Sequence, residues 1–321
     1  MSRDVRRAGV LGVHSVNRFV FSVPDLDQAQ RFYLAFGLDA RRTDERLDLY
    51  TFGSPHCWGS IFGNAATKRL EYLSFGIFAG DLAAFRERFA NAEAAAPHPL
   101  SEGLSDGQGL WIRDPDGTPL QIVVAPKVSP SEKTKPVFPP AVAPGRGAAP
   151  NRKTVTPVRP RYLSHVLLYA IDVDRQVEFY SRVLGLRLSD TSKGIVAFMH
   201  GVHASDHHLL AFAKSHAPGL HHTSWDVGSV HDVGLGAEQM RDRGYQEGWG
   251  VGRHVLGSNY FYYVRDPWRS YAEYSFDIDF VPADLDWPAA DHPPEDSFYV
   301  WGPSVPEDFV TNFEVALGAG G

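Results

Sequence analysis

The stretch "VNRFVFSVPDLDQAQRFYLAFGLDA" in the first half of the chain returns in the second as "LSHVLLYAIDVDRQVEFYSRVLGLRL". Few letters match, but the plan does: an apolar strand, an acidic turn, a helix carrying a Phe-Tyr pair, then Gly-Leu leading into another strand. Aspartate before each helix suits an N-cap, and glycine after it a C-cap. A second pairing follows. "LEYLSFGIFAGDLAAFRERFA" matches "LHHTSWDVGSVHDVGLGAEQMRDRG" as strand, turn and helix, and "GLWIRDPDGTPLQIVV" matches "NYFYYVRDPWRSYAEYSF" as two strands about an Asp-Pro turn. The expected fold is therefore α+β, with four βαβββ modules at about 12–66, 69–125, 161–215 and 218–277. One module cannot bury its own sheet, so the modules should pair into two half-open barrels, each around a cavity.

The chain has 321 residues. A first domain is expected over 1–125, a proline-rich linker over 126–160, a second domain over 161–277, and an aromatic, proline-rich tail over 278–321 that covers the barrel mouth or packs outside it. The net charge of −7 and the lack of a Lys/Arg block argue against nucleic acid as a partner. No apolar run approaches the roughly 18 residues of a membrane span. The N-terminus lacks the apolar core of a signal peptide, and a single cysteine, Cys57, gives no disulfide framework, so a cytoplasmic location is expected. A symmetric homo-oligomer is the default assembly.

Internal repetition permits a comparison of the chain with itself. Aligning the Phe-Tyr pairs sets His165 against Arg18; aligning "LHHTSW" with "LEYLSF" sets His222 against Tyr72; aligning the Asp-Pro turns sets Glu273 against Gln121. Two histidines and a carboxylate thus occupy matched positions in the second half, where the first half holds a poor ligand set. Two His and one carboxylate with open positions left over suit non-haem Fe(II), with Mn(II) second, in a site that takes substrate and oxygen together. The adjacent histidines of "GLHHTSWDV" should face opposite sides of a strand, so that His221 is not a ligand and belongs, with His203, His207 and His216, to the structural or solvated histidines.

From 252 to 274, "GRHVLGSNYFYYVRDPWRSYAEY" places Gly252, His254, Tyr263, Asp266, Pro267 and Glu273 in the order Gly-x-His, apolar-Tyr, acidic-Pro, Glu. In these residues, and in module order over 12–277, the chain resembles the type I extradiol ring-cleaving dioxygenases of the vicinal oxygen chelate superfamily, such as catechol 2,3-dioxygenases and dihydroxybiphenyl dioxygenases. Two residues depart from that pattern: Tyr262 where an aliphatic residue or Phe is usual, and Arg269 where Gly or Pro is usual. The resemblance implies His165, His222 and Glu273 as ligands of Fe(II) (Mn(II) in some members) and O2 as co-substrate. It also implies a catecholic substrate cleaved next to its vicinal hydroxyls in aromatic-compound catabolism. His208 in "DHHLLAF" becomes the active-site histidine near the oxygen site, Tyr263 the partner of the ionised substrate oxygen, and His254 the residue that orients it. Within the same fold, the alternatives are a glyoxalase-type metal isomerase or lyase, which generally needs a fourth protein ligand, and a non-catalytic protein that sequesters aromatic compounds, which needs no triad.

Overall fold

A computed structural model describes residues 5–63, 65–90, 103–105, 107–138 and 141–316. Residues 139–140 of the expected linker and 317–321 of the tail fall outside them. The first half forms a seven-stranded sheet in the spatial order Asp39–Arg42, Arg46–Tyr50, Cys57–Phe62, Ser15–Ser22, Arg69–Ile77, Pro119–Val124, Leu110–Arg113. The second half repeats this order as Arg187–Ser192, Val196–His200, Leu210–Lys214, Tyr162–Ala170, Gly219–Asp226, Tyr271–Phe276, Tyr260–Arg265. It then adds Gly248–His254 and, from the tail, Tyr299–Trp301 at one edge and Ala290–Asp291 at the other. Directions agree as well. The first strand of each half runs parallel to the last strand of its own module and antiparallel to the first strand of the next. The architecture is α+β, with each half a half-open barrel of paired modules. The second module is the irregular one: among the described residues it has two strands after its helix.

The helix ends follow from the expected caps. Asp25 accepts the backbone N–H groups of Asp27 and Gln28 at the start of helix Leu26–Phe36, and Asp172 accepts that of Arg175 at the start of helix Val173–Phe179. Gly37 closes the first helix at φ +97°, where a Cβ would also collide with the carbonyl of Val158 in the connecting segment. That segment has no helix or strand among its described residues, yet it lies against the protein: Ser129 is buried on Ser15 and His14, and the N–H of Val137 reaches the carbonyl of Gly228.

One apolar core runs through both halves. Phe36 stacks on Tyr274 with ring centroids 4.0 Å apart, and the Tyr274 hydroxyl donates to the Phe36 carbonyl. Phe19 meets Trp225 edge-on, and the Lys68 ammonium pairs with Asp266, both side chains only 2% exposed. The halves therefore hold each other in register, and the open face of the second sheet is left to the tail. Among the described residues, no helix is long and apolar enough to cross a membrane.

Candidate metal centre

Three neighbouring strands build the site. Ser224, in the middle strand, is paired with His165 on one side and Glu273 on the other. His222 lies two residues from Ser224, so alternation puts it on the same face as those flanking residues. The first half has the same frame, with Ser74 paired between Arg18 and Gln121 and Tyr72 two residues away. The scaffold is thus duplicated to the residue, and only the side chains differ.

The donor atoms of His165, His222 and Glu273 all lie within 4.8 Å of one another, the one such cluster among the described residues. His165 Nε2 and His222 Nε2 are 3.3 Å apart, and Glu273 Oε2 is 3.3 Å from the first and 3.6 Å from the second. Asn259 donates to Glu273 Oε1, while Oε2 is buried with no hydrogen-bond partner. A fully buried carboxylate oxygen left unpaired is costly unless a cation takes it. Its spacing from two imidazole nitrogens suits three donors around one ion at about 2.0–2.2 Å. The residues fit a divalent metal.

The site opens into a cavity of about 120 Å³, with Leu167, Val196, Phe198 and Ala213 on its apolar wall. His208, His254 and Tyr263 line it together with His165 and His222, as do Ser297, Phe298, Phe309 and Val310 of the tail. The His208 ring lies tilted against that of His165, with 4.0 Å between ring centroids. The Tyr263 hydroxyl is 2.9 Å from His254 Nε2. Burial, then neighbouring histidines, hold the His208 and His222 imidazoles well below their ordinary pKa, and burial lowers His254 as well. These rings are neutral, the state that a metal ligand or a proton acceptor requires. Burial and the nearby Glu273 raise the Tyr263 phenol.

The structure corrects one expectation. His221 and His222 do not point to opposite sides: their Nδ1 atoms are 2.7 Å apart, and both line the cavity. The pairing skips from Leu220 to His222, so His221 is the extra residue of a β-bulge, where alternation fails. His207 and His208 lie in an irregular bend, and their Nδ1 atoms are likewise close, at 3.0 Å. His203 is buried and accepts the Arg7 N–H, and His216 is exposed. Trp225 sits in the core, away from the cavity. Arg269 takes φ +75°, a conformation that favours glycine, and reaches Asp308 of the tail. Sequence reasoning missed His221, His207, Asn259 and the tail phenylalanines. The doubled histidines were visible, but nothing local marked a bulge or a bend.

Comparison with known proteins bears on all of this. Residues 162–274 match the Glyoxalase/Bleomycin resistance protein/Dioxygenase superfamily. Metapyrocatechase 2 of Cupriavidus necator is 50% identical over 302 residues, covering 94% of this chain and 93% of that protein. The Mn(II)-bound glyoxalase from Novosphingobium aromaticivorans superposes with a TM-score of 0.69 at 22% identity, over 92% of this chain and 94% of that one. A mutant of homoprotocatechuate 2,3-dioxygenase from Brevibacterium fuscum gives 0.73 at 17% identity, over 95% of this chain and 83% of that one. At these identities the two structures speak to the fold.

Proposed function

The chain belongs to the extradiol ring-cleaving dioxygenases of the glyoxalase/bleomycin resistance protein/dioxygenase superfamily, and we propose that it opens a catechol ring beside its two hydroxyls with Fe(II) held by His165, His222 and Glu273. The observation that carries this reading is the unpaired Glu273 Oε2, buried between two imidazole nitrogens at the end of an apolar cavity. When bound, Fe(II) supplies positions for the catechol oxygens and for O2 and lets electron density pass between them; Mn(II) is the second candidate.

The protein's own groups do the rest. Asn259 holds Oε1 of Glu273 so that Oε2 faces the two histidines. Tyr263 donates its hydroxyl proton to His254 Nε2, which leaves the phenol oxygen as an acceptor for the O–H of an entering catechol. His208, neutral and beside His165, takes a proton from the substrate and returns it to the ring-opened product. Leu167, Val196, Phe198 and Ala213 grip the ring and keep water out. The cavity is comparable in volume to the roughly 150 Å³ engineered void that takes one benzene molecule, so it has the scale of a single ring, and its open mouth leaves room for the hydroxyls and for substituents. The expected setting is aerobic breakdown of aromatic compounds.

Anaerobic reconstitution with Fe(II), followed by oxygen uptake and the yellow product measured over a panel of one- and two-ring catechols, tests the proposal. Turnover of single-ring catechols, lost in Glu273→Ala and His222→Ala, is the expected result. Full iron retention in either variant refutes the ligand set. A protein that binds iron but consumes no oxygen with any catechol refutes the reaction.

A further inference from the structure

Five histidines line the cavity, and for three of them, His254, His222 and His208, the ring nitrogen turned away from it leads to the C-terminal tail. His254 Nδ1 lies 2.8 Å from the Phe298 carbonyl oxygen. A carbonyl only accepts, so Nδ1 carries the proton, and Nε2 is bare and accepts from Tyr263. His222 reaches the tail through His221. Nε2 of His221 is 3.0 Å from the Phe309 carbonyl oxygen and must donate to it. The other nitrogen of that neutral ring is then an acceptor, and it lies 2.7 Å from His222 Nδ1. The proton of His222 therefore sits on Nδ1, and Nε2 turns bare toward Glu273.

His208 repeats the arrangement through His207. His207 Nε2 donates to Asp190 Oδ2 at 2.8 Å, and its Nδ1 faces His208 Nδ1 at 3.0 Å. Asp190 is itself gripped by the tail, from Trp287 Nε1, the Ala290 N–H and His292 Nε2. Three separate routes thus give one result: the proton on Nδ1 and a bare Nε2 facing the cavity. The routes start on unrelated elements (a bulged strand, a bend and the strand Gly248–His254 next to the sheet edge), and what they share is the tail.

We propose that the C-terminal tail is a positioning element that sets the tautomer of the active-site histidines, holding Nε2 of His222, His208 and His254 proton-free toward the cavity. His221 and His207 are its intermediaries. The physical gain is that each ring arrives with its lone pair already turned to its task, as hydrogen-bonded partners of ligating histidines generally ensure. For His222 the consequence rests on the metal reading above; the tautomers themselves do not.

The test uses the full-length protein. Long-range ¹H–¹⁵N spectra of the metal-free, ¹⁵N-histidine-labelled protein should show His222, His208 and His254 as Nδ1–H tautomers. His221→Phe keeps a ring and loses the acceptor; it should turn His222 into a mixture and weaken Co(II) binding by the 10–100-fold typical of removing such a partner. His221→Asn, whose amide oxygen reaches the place of Nδ1, should recover most of that loss. His292→Ala should disturb the His208 signal and leave Co(II) affinity unchanged. An Nε2–H signal from His222 or His208 in the unmodified protein overturns the proposal; for His208 it would mean a protonated His207 donating in reverse. So does wild-type Co(II) affinity in His221→Phe while His222→Ala has lost it. Co(II) retained by both variants refutes the metal reading instead, and the spectra alone then decide the proposal. If His221→Phe does not fold, the wild-type spectrum and His221→Asn decide it.

Discussion

Glu273→Gln should make the metal-free protein more stable and the metal-loaded protein less so. In the wild type the Glu273 carboxyl is held below its ordinary value against the burial that works to raise it, and the group stays ionised. Its Oε1 is satisfied by Asn259; its Oε2 is not satisfied at all, although the side chain is fully buried. Leaving such a group unmade costs about 1–3 kcal/mol, and more for a charge. Glutamine has the same shape. Its oxygen can keep the Asn259 bond, and its amide N–H groups would point at His165 Nε2 and His222 Nε2, now 3.3 and 3.6 Å away. His222 Nε2 is bare as argued above, and His165 Nδ1 faces a Ser164 hydroxyl that already donates to Asp206, which puts the His165 proton on Nδ1 and leaves its Nε2 bare too. An unpaired acceptor facing two acceptors becomes a donor facing two acceptors. The metal-free variant should therefore gain about 1–3 kcal/mol. With metal the order reverses, because the wild type gains about 2.7 kcal/mol when free metal is 100-fold above its dissociation constant, and the variant gains none. Thermal melts in chelator and in excess Co(II) under anaerobic conditions read both. The melting curves should cross over. A variant less stable than wild type in chelator would show that Oε2 has a partner in solution, and the reasoning from its isolation would fail.

His208→Phe should leave metal content and catechol affinity nearly intact and lower turnover by about 10²–10⁴-fold; near-normal turnover would make it a bystander. Lys68→Met leaves Asp266 buried beside no cation, with both side chains 2% exposed, and should cost about 3–5 kcal/mol by urea denaturation; the double variant with Asp266→Asn should recover much of it, and its failure to do so would assign the loss to packing. His14, His200 and His203 are each held at about 4 by burial, well below the ordinary value of 6.5. The folded state refuses protons that the unfolded state accepts, so their contribution is present above pH 6.5 and is lost as pH falls toward 4. His14→Phe should flatten that slope, removing at most roughly 3 kcal/mol of its depth; an unchanged slope would mean that His14 titrates normally.

The fold was legible because it is written twice. The caps at Asp25 and Asp172, the Asp-Pro turns and the alternation of the strands are local signals, and matching them across halves supplied the long-range register that a single copy conceals. The same matching gathered His165, His222 and Glu273, whose partners in the first half, Arg18, Tyr72 and Gln121, occupy the same sheet positions. What had no repeat was not legible. The tail strands, the Asp190 cluster and the Phe298 and Phe309 carbonyls have no counterpart in the first half, and a backbone carbonyl leaves no trace in a sequence. Arg269 shows a milder form of the same limit: it was visible as a departure from the usual Gly or Pro, but its strained backbone and its ion pair with Asp308 are tertiary facts.

The adjacent histidines show why alternation alone misled. A strand of period two allows only one of two neighbours to face a given side, so one imidazole looked idle. The bulge inserts His221 without shifting His222, whose partner Leu167 is the next residue along from the one opposite Leu220. The first half carries the same irregularity, skipping from Leu70 to Tyr72 around Glu71, which there pairs with Arg69. The bulge is thus a property of the scaffold and not a product of the metal site. It gives each half one extra side chain beside a cavity-facing position, free of the alternation rule. In the first half that side chain is tied to an exposed arginine; in the second it becomes the link between the Phe309 carbonyl and the ring of His222. The two imidazoles share a strand because the bulge lets one hold the other, and if His222 takes the metal as proposed, a ring whose proton is already placed can meet it without rearrangement.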